Sequence, residues 1–341
     1  MTLLNLKKIK QLILLQLIFV FAPVNAAIIF SDVYIFGDSL SDTGNTRATV
    51  PLGTFGPVAA LAGYGPNGRF SNGILWHEYL SADLGLPTSR STAGGNNFAY
   101  GGAQIDNSTG VSTGVLNQYQ QYINRLGSSP FDADALYIAW AGGNDMRSLV
   151  GSTNPLMAIT STVNTFKNML TGMLVNGAMT LLVPNLPDLG LIPEFARTSN
   201  SASGTAVSVQ WNTLLNDMLI DLAKTYSADI YMLDVYSAFS NILNDPASAG
   251  FTNTSDECRS VTGSFFPSER SCSNANQYLF WDEIHPTTAA HRVLGKEAFV
   301  LLNSGQTVYQ QVPEPAMFFI FAGFVLLLIR KNQLKLKNIH Q

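Results

Sequence analysis

The stretch YIFGDSLSDTGN, residues 34–45, passes from an apolar strand pattern directly into small polar residues around one serine, Ser39. Short apolar runs bounded by turn residues are typical of buried strands. Ligands of open α/β sheets bind beyond the carboxyl ends of the strands, which is where this pattern places Ser39. Gly37 permits a sharp turn, and the start of a following helix would aim its N–H groups at an oxyanion. A helix cap is an equally good interpretation of the serine alone.

Strand and helix patterns alternate along the rest of the chain. Strand-like apolar runs lie at 27–37, 135–143, 179–186 and 229–235. Helix-like stretches, with apolar residues three and four positions apart, lie at 74–85, 154–177, 205–227 and 287–303. The alternation predicts βαβ units, that is, a central parallel sheet with helices on both faces. An irregular, cysteine-bearing insert is expected from about 237 to 280, before the last helix.

The composition is that of a globular chain. At 341 residues and 46% hydrophobic content, the chain can bury a core, and one catalytic domain fits this length better than two. Charged residues make up 12% of the chain, and the formal net charge is -4. Because this balance provides no basic surface, we expect no nucleic-acid partner.

The N-terminus has the pattern of a secretory signal peptide. Lys7, Lys8 and Lys10 precede an apolar run, and the small residues of VNA, ending at Ala26, suit a cleavage site. We therefore expect residues 1–26 to be removed on export. An uncleaved anchor is the alternative, and it also implies export.

The C-terminus, VPEPAMFFIFAGFVLLLIRKNQLKLKNIHQ, combines a Pro-Glu-Pro triplet, an apolar run at 316–329 and a basic tail. The apolar run is shorter than the roughly 20 residues of a usual spanning helix, and its positive flank favours a cytoplasmic tail. The segment 312–341 resembles the bacterial PEP-CTERM sorting signal, which implies recognition by an exosortase. An ordinary tail anchor is the alternative. The catalytic domain is then expected at 27–311, in the cell envelope or outside the cell, transiently anchored to the membrane.

Two cysteines, Cys258 and Cys272, lie in a polar segment. In an exported chain such a pair predicts one disulfide closing a short loop, worth about 3 kcal/mol. Without nearby histidines the pair is a poor metal site, and no metal or cofactor is expected.

A serine nucleophile needs a base, and His285 is the best placed of four histidines. It lies on the loop WDEIHPT, where Asp282, three residues earlier, could bind Nδ1 and leave Nε2 for Ser39. The other histidines lie in helical patterns or in the C-terminal tail: His77, His291 and His340.

An acyl-transfer site also needs hydrogen-bond donors for the developing oxyanion. Asn144 follows an apolar strand pattern in AWAGGNDM, and NFAYGGAQ contains Gly101 and Gly102. An asparagine amide, a glycine N–H and the Ser39 N–H could converge on one site, although each motif alone is also an ordinary turn.

Taken together, FGDSLSDTGN, NFAYGGA, GGND and DEIHP resemble, in order, the four signature blocks of the GDSL, or SGNH-hydrolase, family. The resemblance spans 34–286, includes the linking segment 67–87, and is to the phospholipase/lecithinase/hemolysin-like branch. It implies a three-layer α/β/α flavodoxin-like fold. The roles that it implies are Ser39 as nucleophile, His285 as base, Asp282 as its orienter, and Gly102 and Asn144 as oxyanion donors with the Ser39 N–H. Gly101 stays an alternative to Gly102, which only the spacing of five from Asn97 favours.

A second serine motif, GVSTG at 110–114, matches the G-x-S-x-G nucleophile elbow literally. The elbow requires a strand immediately before it, whereas a polar loop precedes Ser112. We therefore do not expect Ser112 to be the nucleophile.

These observations predict an exported serine esterase or lipase acting on lipid, phospholipid or acetyl esters, without a cofactor. An acyltransferase using the same site and a deacetylase of extracellular polysaccharide are alternatives. A non-catalytic matrix-binding protein is a further alternative, but it would not need the serine, histidine, aspartate and asparagine together. The loop 51–68 and the insert are expected to wall the acyl site.

Overall fold

A four-stranded parallel sheet lies at the centre of the computed structural model, which describes residues 29–49, 63–64, 67–106, 113–262 and 268–309. Its strands, adjacent in chain order, are β1 (Val33–Gly37), β2 (Leu136–Trp140), β3 (Thr180–Pro184) and β4 (Asp229–Leu233). All five residues of β2 are buried, as expected when helices cover both faces of a sheet. The predicted α/β class with a central parallel sheet is confirmed. The predicted signal peptide, the predicted sorting signal and Ser112 lie outside the described residues.

A short extended segment continues the sheet beyond β1. Ile35 N–H donates to Asn96 O at 3.1 Å, Phe98 N–H to Ile35 O at 2.7 Å, and Tyr100 N–H to Gly37 O at 3.2 Å. This segment runs parallel to β1 on the edge away from β2. The resulting spatial order is that of flavodoxin-like sheets, whose ligand site lies where the order reverses, here between β1 and β2.

Helices pack on the sheet as two layers. A Cβ at Gly295 would lie 2.6 Å from Trp76 O, so glycine allows one helix pair to approach closely. Phe166 stacks on Trp211, at 6.4 Å between ring centroids, in a second pair of helices.

None of the helices in the described ranges has the length and apolar character to cross a bilayer. The helices are α1 (Asn45–Thr49), α2 (Trp76–Asp83), α3 (Val115–Leu126), α4 (Gly143–Leu149), α5 (Leu156–Val175), α6 (Pro193–Ala196), α7 (Ser201–Thr225), α8 (Val235–Asn244) and α9 (Thr288–Ser304).

The region predicted as an irregular insert is partly helical, because it contains nearly all of α8. The Asp234 carboxylate accepts the Ser237 N–H at 3.1 Å and caps this helix. Val235, Phe239 and Ile242 form its buried face. Serine and asparagine, weak helix formers, separate these residues in the sequence and obscured the pattern.

The remainder of the insert forms short strands. β6 (Arg259–Thr262) pairs antiparallel with β7 (Ser268–Ser271), and β5 (Asn253–Glu257) pairs with β8 (Tyr278–Phe280). A disulfide joins Cys258 to Cys272, as the sequence predicts.

Candidate active site

Ser39 and His285 meet at the carboxyl edge of the sheet, although 246 residues separate them in the chain. Ser39 lies in the turn that follows β1, and His285 lies in the loop between β8 and α9. His285 Nε2 is 2.8 Å from Ser39 Oγ, and both residues are buried. This is hydrogen-bond distance between a hydroxyl and a base that could take its proton.

Asp282 holds the imidazole in place. His285 Nδ1 lies 2.8 Å from Asp282 Oδ2, and Asp282 Oδ1 accepts the N–H groups of Ile284 at 2.8 Å and His285 at 2.7 Å. The carboxylate therefore fixes both the loop and the ring that the loop carries. Burial alone would raise the pKa of Asp282, but the charge and hydrogen bonds of His285, with the Tyr64 hydroxyl, hold that pKa well below its usual range. Nδ1–H is thus directed to Asp282, which leaves Nε2 for Ser39.

Tyr64 contacts the same carboxylate, and the sequence analysis missed it. Its hydroxyl donates to Asp282 Oδ2. The Arg259 guanidinium stacks on the Tyr64 ring, 4.2 Å from its centroid, and Arg259 N–H donates to Trp281 O at 2.6 Å. The only signal in the sequence is a tyrosine just before the segment 67–87.

Two backbone N–H groups near Ser39 are available as oxyanion donors. Within the described part of the chain, neither the Ser39 N–H nor the Gly102 N–H has a hydrogen-bond acceptor. The Gly101 N–H, in contrast, donates to Asp42 Oδ2 at 2.9 Å and to Thr46 Oγ1 at 2.8 Å. Gly102 has a φ of +72°, a left-handed conformation that favours glycine. This geometry favours Gly102 over Gly101 as donor.

Asn144 lies beside this glycine turn. It occupies the first turn of α4, directly after β2, and Gly142, with a φ of +100°, makes the bend between the two elements. Asn144 Nδ2 donates to Ala103 O at 2.9 Å, which fixes the amide next to Gly102. An amide nitrogen carries two hydrogens, so a second N–H remains for a ligand.

The turn after Ser39 differs from one expectation. No helix begins directly after Ser39, since α1 begins at Asn45. Its first N–H groups are bound by Asp42, which accepts from Gly44 at 2.7 Å, Asn45 at 2.6 Å and Thr46 at 3.1 Å. The expectation that a helix N-terminus directs its N–H groups at an oxyanion here is therefore wrong. The Asp42 carboxylate instead ties the Ser39 turn to the Gly101 turn.

The other described histidines, His77 and His291, are buried on α2 and α9. His77 Nε2 lies 3.0 Å from Ser41 O, whereas the described residues offer no hydrogen-bond partner to either ring nitrogen of His291. Burial lowers the pKa of His77 to about 4 and that of His291 to about 3. Both rings are therefore neutral near pH 7. Across the described ranges, no histidines, cysteines and carboxylates group as a metal site.

Comparison with known proteins gives consistent matches. A model of the family described as GDSL-like Lipase/Acylhydrolase matches residues 33–298. Acetylajmalan esterase 2 of Rauvolfia serpentina is 30% identical over 335 residues, covering 81% of this chain and 92% of that protein. Phosphatidylcholine-sterol acyltransferase of Aeromonas hydrophila is 27% identical over 322 residues, covering 81% and 91%. Among solved structures, LAE5, an alpha/beta hydrolase from the metagenome of Lake Arreo, Spain, matches with 15% identity and a TM-score of 0.45, covering 82% of this chain and 98% of that one. The family match spans the sheet, the Ser39 turn and the His285 loop.

Proposed function

This chain belongs to the GDSL-like lipase/acylhydrolase family of hydrolases, and from that membership we propose that it is an exported serine esterase in which Ser39, His285 and Asp282 form the catalytic triad. The observation that carries the proposal is the 2.8 Å separation of Ser39 Oγ and His285 Nε2, with Nδ1 held 2.8 Å from Asp282 Oδ2. This arrangement supplies a hydroxyl, a base for its proton and an anion that stabilises the imidazolium.

The reaction begins when Ser39 Oγ attacks the ester carbonyl while His285 Nε2 takes its proton. The negative charge that develops on the carbonyl oxygen is bound by the N–H groups of Ser39 and Gly102 and by the Asn144 amide. His285 then returns the proton to the departing alcohol, which leaves an acyl group on Ser39. Water, activated by the same histidine, releases the acid and regenerates the hydroxyl.

We place this activity outside the cytoplasm. Residues 1–26 act as a signal peptide, residues 27–311 form the hydrolase, and residues 312–341 form a sorting signal for an exosortase-type enzyme. The Cys258–Cys272 disulfide agrees with an oxidising compartment. In that setting, lipids, phospholipids and acetylated extracellular polysaccharides are the available esters.

A second candidate function is acyl transfer to an alcohol other than water. The similarity to the phosphatidylcholine-sterol acyltransferase of Aeromonas hydrophila favours it. The triad and the acyl-enzyme would be the same, and only the acceptor in the second step would differ. Adding an alcohol during ester cleavage distinguishes the two, because a transferase forms a new ester faster than free acid.

The test is hydrolysis of p-nitrophenyl esters, from acetate to palmitate, by the full-length protein. We expect turnover by the wild type and a loss of about 10⁴-fold or more in Ser39→Ala. Ser112→Ala, in the second serine motif, is the matched control and should hydrolyse like the wild type. Near-normal turnover in Ser39→Ala would overturn the proposal.

A further inference from the structure

Glu194, which has no part in the chemistry described above, contacts both sides of the candidate active site. Its side chain binds Arg147 of α4, the helix that carries Asn144. Its backbone N–H donates to Glu283 O at 3.0 Å, in the loop that carries the base. This residue therefore joins the oxyanion side of the site to the base side.

The contact with α4 is a bidentate ion pair. Arg147 Nε donates to Glu194 Oε2 and Arg147 Nη2 donates to Glu194 Oε1, both at 2.6 Å. Two parallel hydrogen bonds of this kind fix the orientation of the two side chains as well as their distance. Arg147 lies three residues after Asn144 and therefore on the same face of α4. Glu194 thus holds the helix one turn away from the amide that faces the site.

The contact with the base loop is made by the backbone of α6. Glu194 lies in the first turn of this helix, where N–H groups have no acceptor within the helix. Its N–H is satisfied instead by Glu283 O. On the inner side of the same loop, the Asp282 carboxylate accepts the N–H groups of Ile284 and His285. The loop is therefore held from inside by Asp282 and from outside by α6.

Helix α6 is anchored at both ends, so it can fix one side of the site relative to the other. Ile192, directly before the helix, is buried in the core, and Pro193 gives the first helical position a fixed φ. Arg197, directly after the helix, donates to Glu257 Oε2 of β5 at 2.5 Å. An acidic residue in the first turn of a helix is also favoured by the helix dipole alone. The experiment must therefore separate this local role from an effect on the active site.

We propose that Glu194 is a positioning residue that fixes the separation between the Asn144 amide and the His285 base. It acts through Arg147 on one side and through Glu283 O on the other. The inference rests on the proposed function, because this separation matters only if the site cleaves esters by the proposed mechanism. A misplacement of about 1 Å far from the reacting atoms can cost about 100-fold in rate.

The first measurement compares turnover and stability in Glu194→Ala, which loses both side-chain hydrogen bonds and keeps the backbone N–H. With p-nitrophenyl esters and the full-length protein, kcat should fall about tenfold or more while KM stays within about twofold. The side chains of Arg147 and Glu194 are 39% and 23% exposed, and exposed ion pairs add little to stability. The midpoint of thermal unfolding should therefore change by less than about 4 °C.

Asp221→Asn is the matched control. Asp221 of α7 binds Lys167 of α5 at 2.5 Å, so this ion pair also joins two helices. It contacts neither α4 nor the base loop, and kcat of the variant should equal that of the wild type. If Glu194→Ala does not fold, Glu194→Gln, which keeps one acceptor oxygen for Arg147, makes the same change on a smaller scale and should lower kcat severalfold.

A double-variant cycle separates positioning of Asn144 from a general loss of structure. In the Asn144→Ala background the amide that Glu194 positions is already missing, so Glu194→Ala should lower kcat by less than about threefold. Arg147→Met removes the other partner of the ion pair and should lower kcat as much as Glu194→Ala does. Combining these two changes should lower kcat no further, because both remove the same contact.

The outcomes separate this inference from the proposed function. Ser39-dependent hydrolysis that Glu194→Ala leaves unchanged would overturn the positioning role and leave the esterase intact. An equal loss from Glu194→Ala with and without the Asn144 amide would also overturn it, and so would a similar loss in Asp221→Asn. If the folded wild type shows no Ser39-dependent hydrolysis of any ester, the proposed function fails and the inference fails with it.

Discussion

Tyr64 donates its hydroxyl hydrogen to Oδ2 of Asp282, the same carboxylate oxygen that lies 2.8 Å from Nδ1 of His285. Phenol and imidazole therefore hold one oxygen from two sides, while backbone N–H groups hold the other. A carboxylate bound in this way cannot rotate without losing several charge-assisted hydrogen bonds. In the proposed mechanism Tyr64 is thus a positioning residue, which acts on Ser39 through Asp282 and His285.

Replacing Tyr64 with phenylalanine tests this role. The ring and its contact with Arg259 remain, but one hydrogen bond to a charged group is lost, which is worth about 1.5–3 kcal/mol. We expect kcat to fall about tenfold or more while KM stays within about twofold. Tyr79→Phe is the control, because the Tyr79 hydroxyl lies 3.1 Å from Thr288 Oγ1 and does not contact Asp282. A rise in KM with kcat unchanged would contradict the positioning role.

The amide of Asn144 provides the second test. In the proposed mechanism Asn144→Ala removes a hydrogen-bond donor to the transition state, and kcat should fall about 10²- to 10³-fold with little change in KM. The matched control is Asn212→Ala, since Asn212 Nδ2 also donates to a backbone carbonyl, that of Leu186 at 2.8 Å. Single-turnover kinetics distinguish the two, because only Asn144→Ala should slow acylation. Equal losses in both variants would assign Asn144 a structural role only.

A third prediction is that reduction of the disulfide lowers both the free energy of unfolding and kcat. Cys258 and Cys272 are 14 residues apart, and opening a loop of about this size should lower the free energy of unfolding by about 3 kcal/mol. Arg259, next to Cys258, stacks on Tyr64, so kcat should also fall severalfold on reduction. The measurement is denaturant unfolding and ester turnover with and without dithiothreitol. The double variant Cys258→Ser/Cys272→Ser should match the reduced wild type and should not respond to the reductant.

An element of the fold can be predicted from the sequence when the residues on its buried face form a clear apolar pattern. The four strands of the sheet were predicted because they are uninterrupted apolar runs. Helix α3 was not predicted, because a polar residue, Gln118, lies on its buried face. Its amide accepts the Gly37 N–H at 2.9 Å and donates to Gly37 O at 2.8 Å, so a glutamine takes a place that an apolar side chain normally fills.

The same limit applies to the candidate site. The motifs around Ser39, Asn144 and His285 were visible as short local patterns, and the fold brings Ser39 and His285 to hydrogen-bond distance. Tyr64 could not be predicted, because its contact spans 218 residues and depends on the loop that Arg259 supports.

The buried histidine His291 leads to a prediction on pH. Its pKa is about 3 in the folded chain, against about 6.5 in an unfolded one. Between these values the unfolded chain binds the extra proton, so stability is lost as the pH falls through this window. In His291→Gln this loss is absent. The difference in unfolding free energy, wild type minus variant, should fall by about 1.4 kcal/mol per pH unit between pH 6 and pH 4.

The measurement for His291→Gln is urea unfolding at pH 6, 5 and 4, for wild type and variant in parallel. Titration of the groups that do not interact with His291 cancels in the difference between the two proteins. Arg292→Gln changes the neighbouring exposed residue and serves as the control, with a difference that should not depend on pH. A constant difference for His291→Gln would show that this ring is not held neutral by burial.

Ser39 and His285 are 246 residues apart in the chain, so the two residues can meet only late in synthesis and folding. A polypeptide made from its N-terminus carries Ser39 as an ordinary hydroxyl until almost the whole hydrolase has been synthesised. The base is made only with the loop that precedes α9, the helix that packs on α2. A chain still on the ribosome therefore lacks the Ser39–His285 pair on which the proposed esterase activity depends. The proposed activity can therefore begin only when nearly the whole hydrolase has been made and folded.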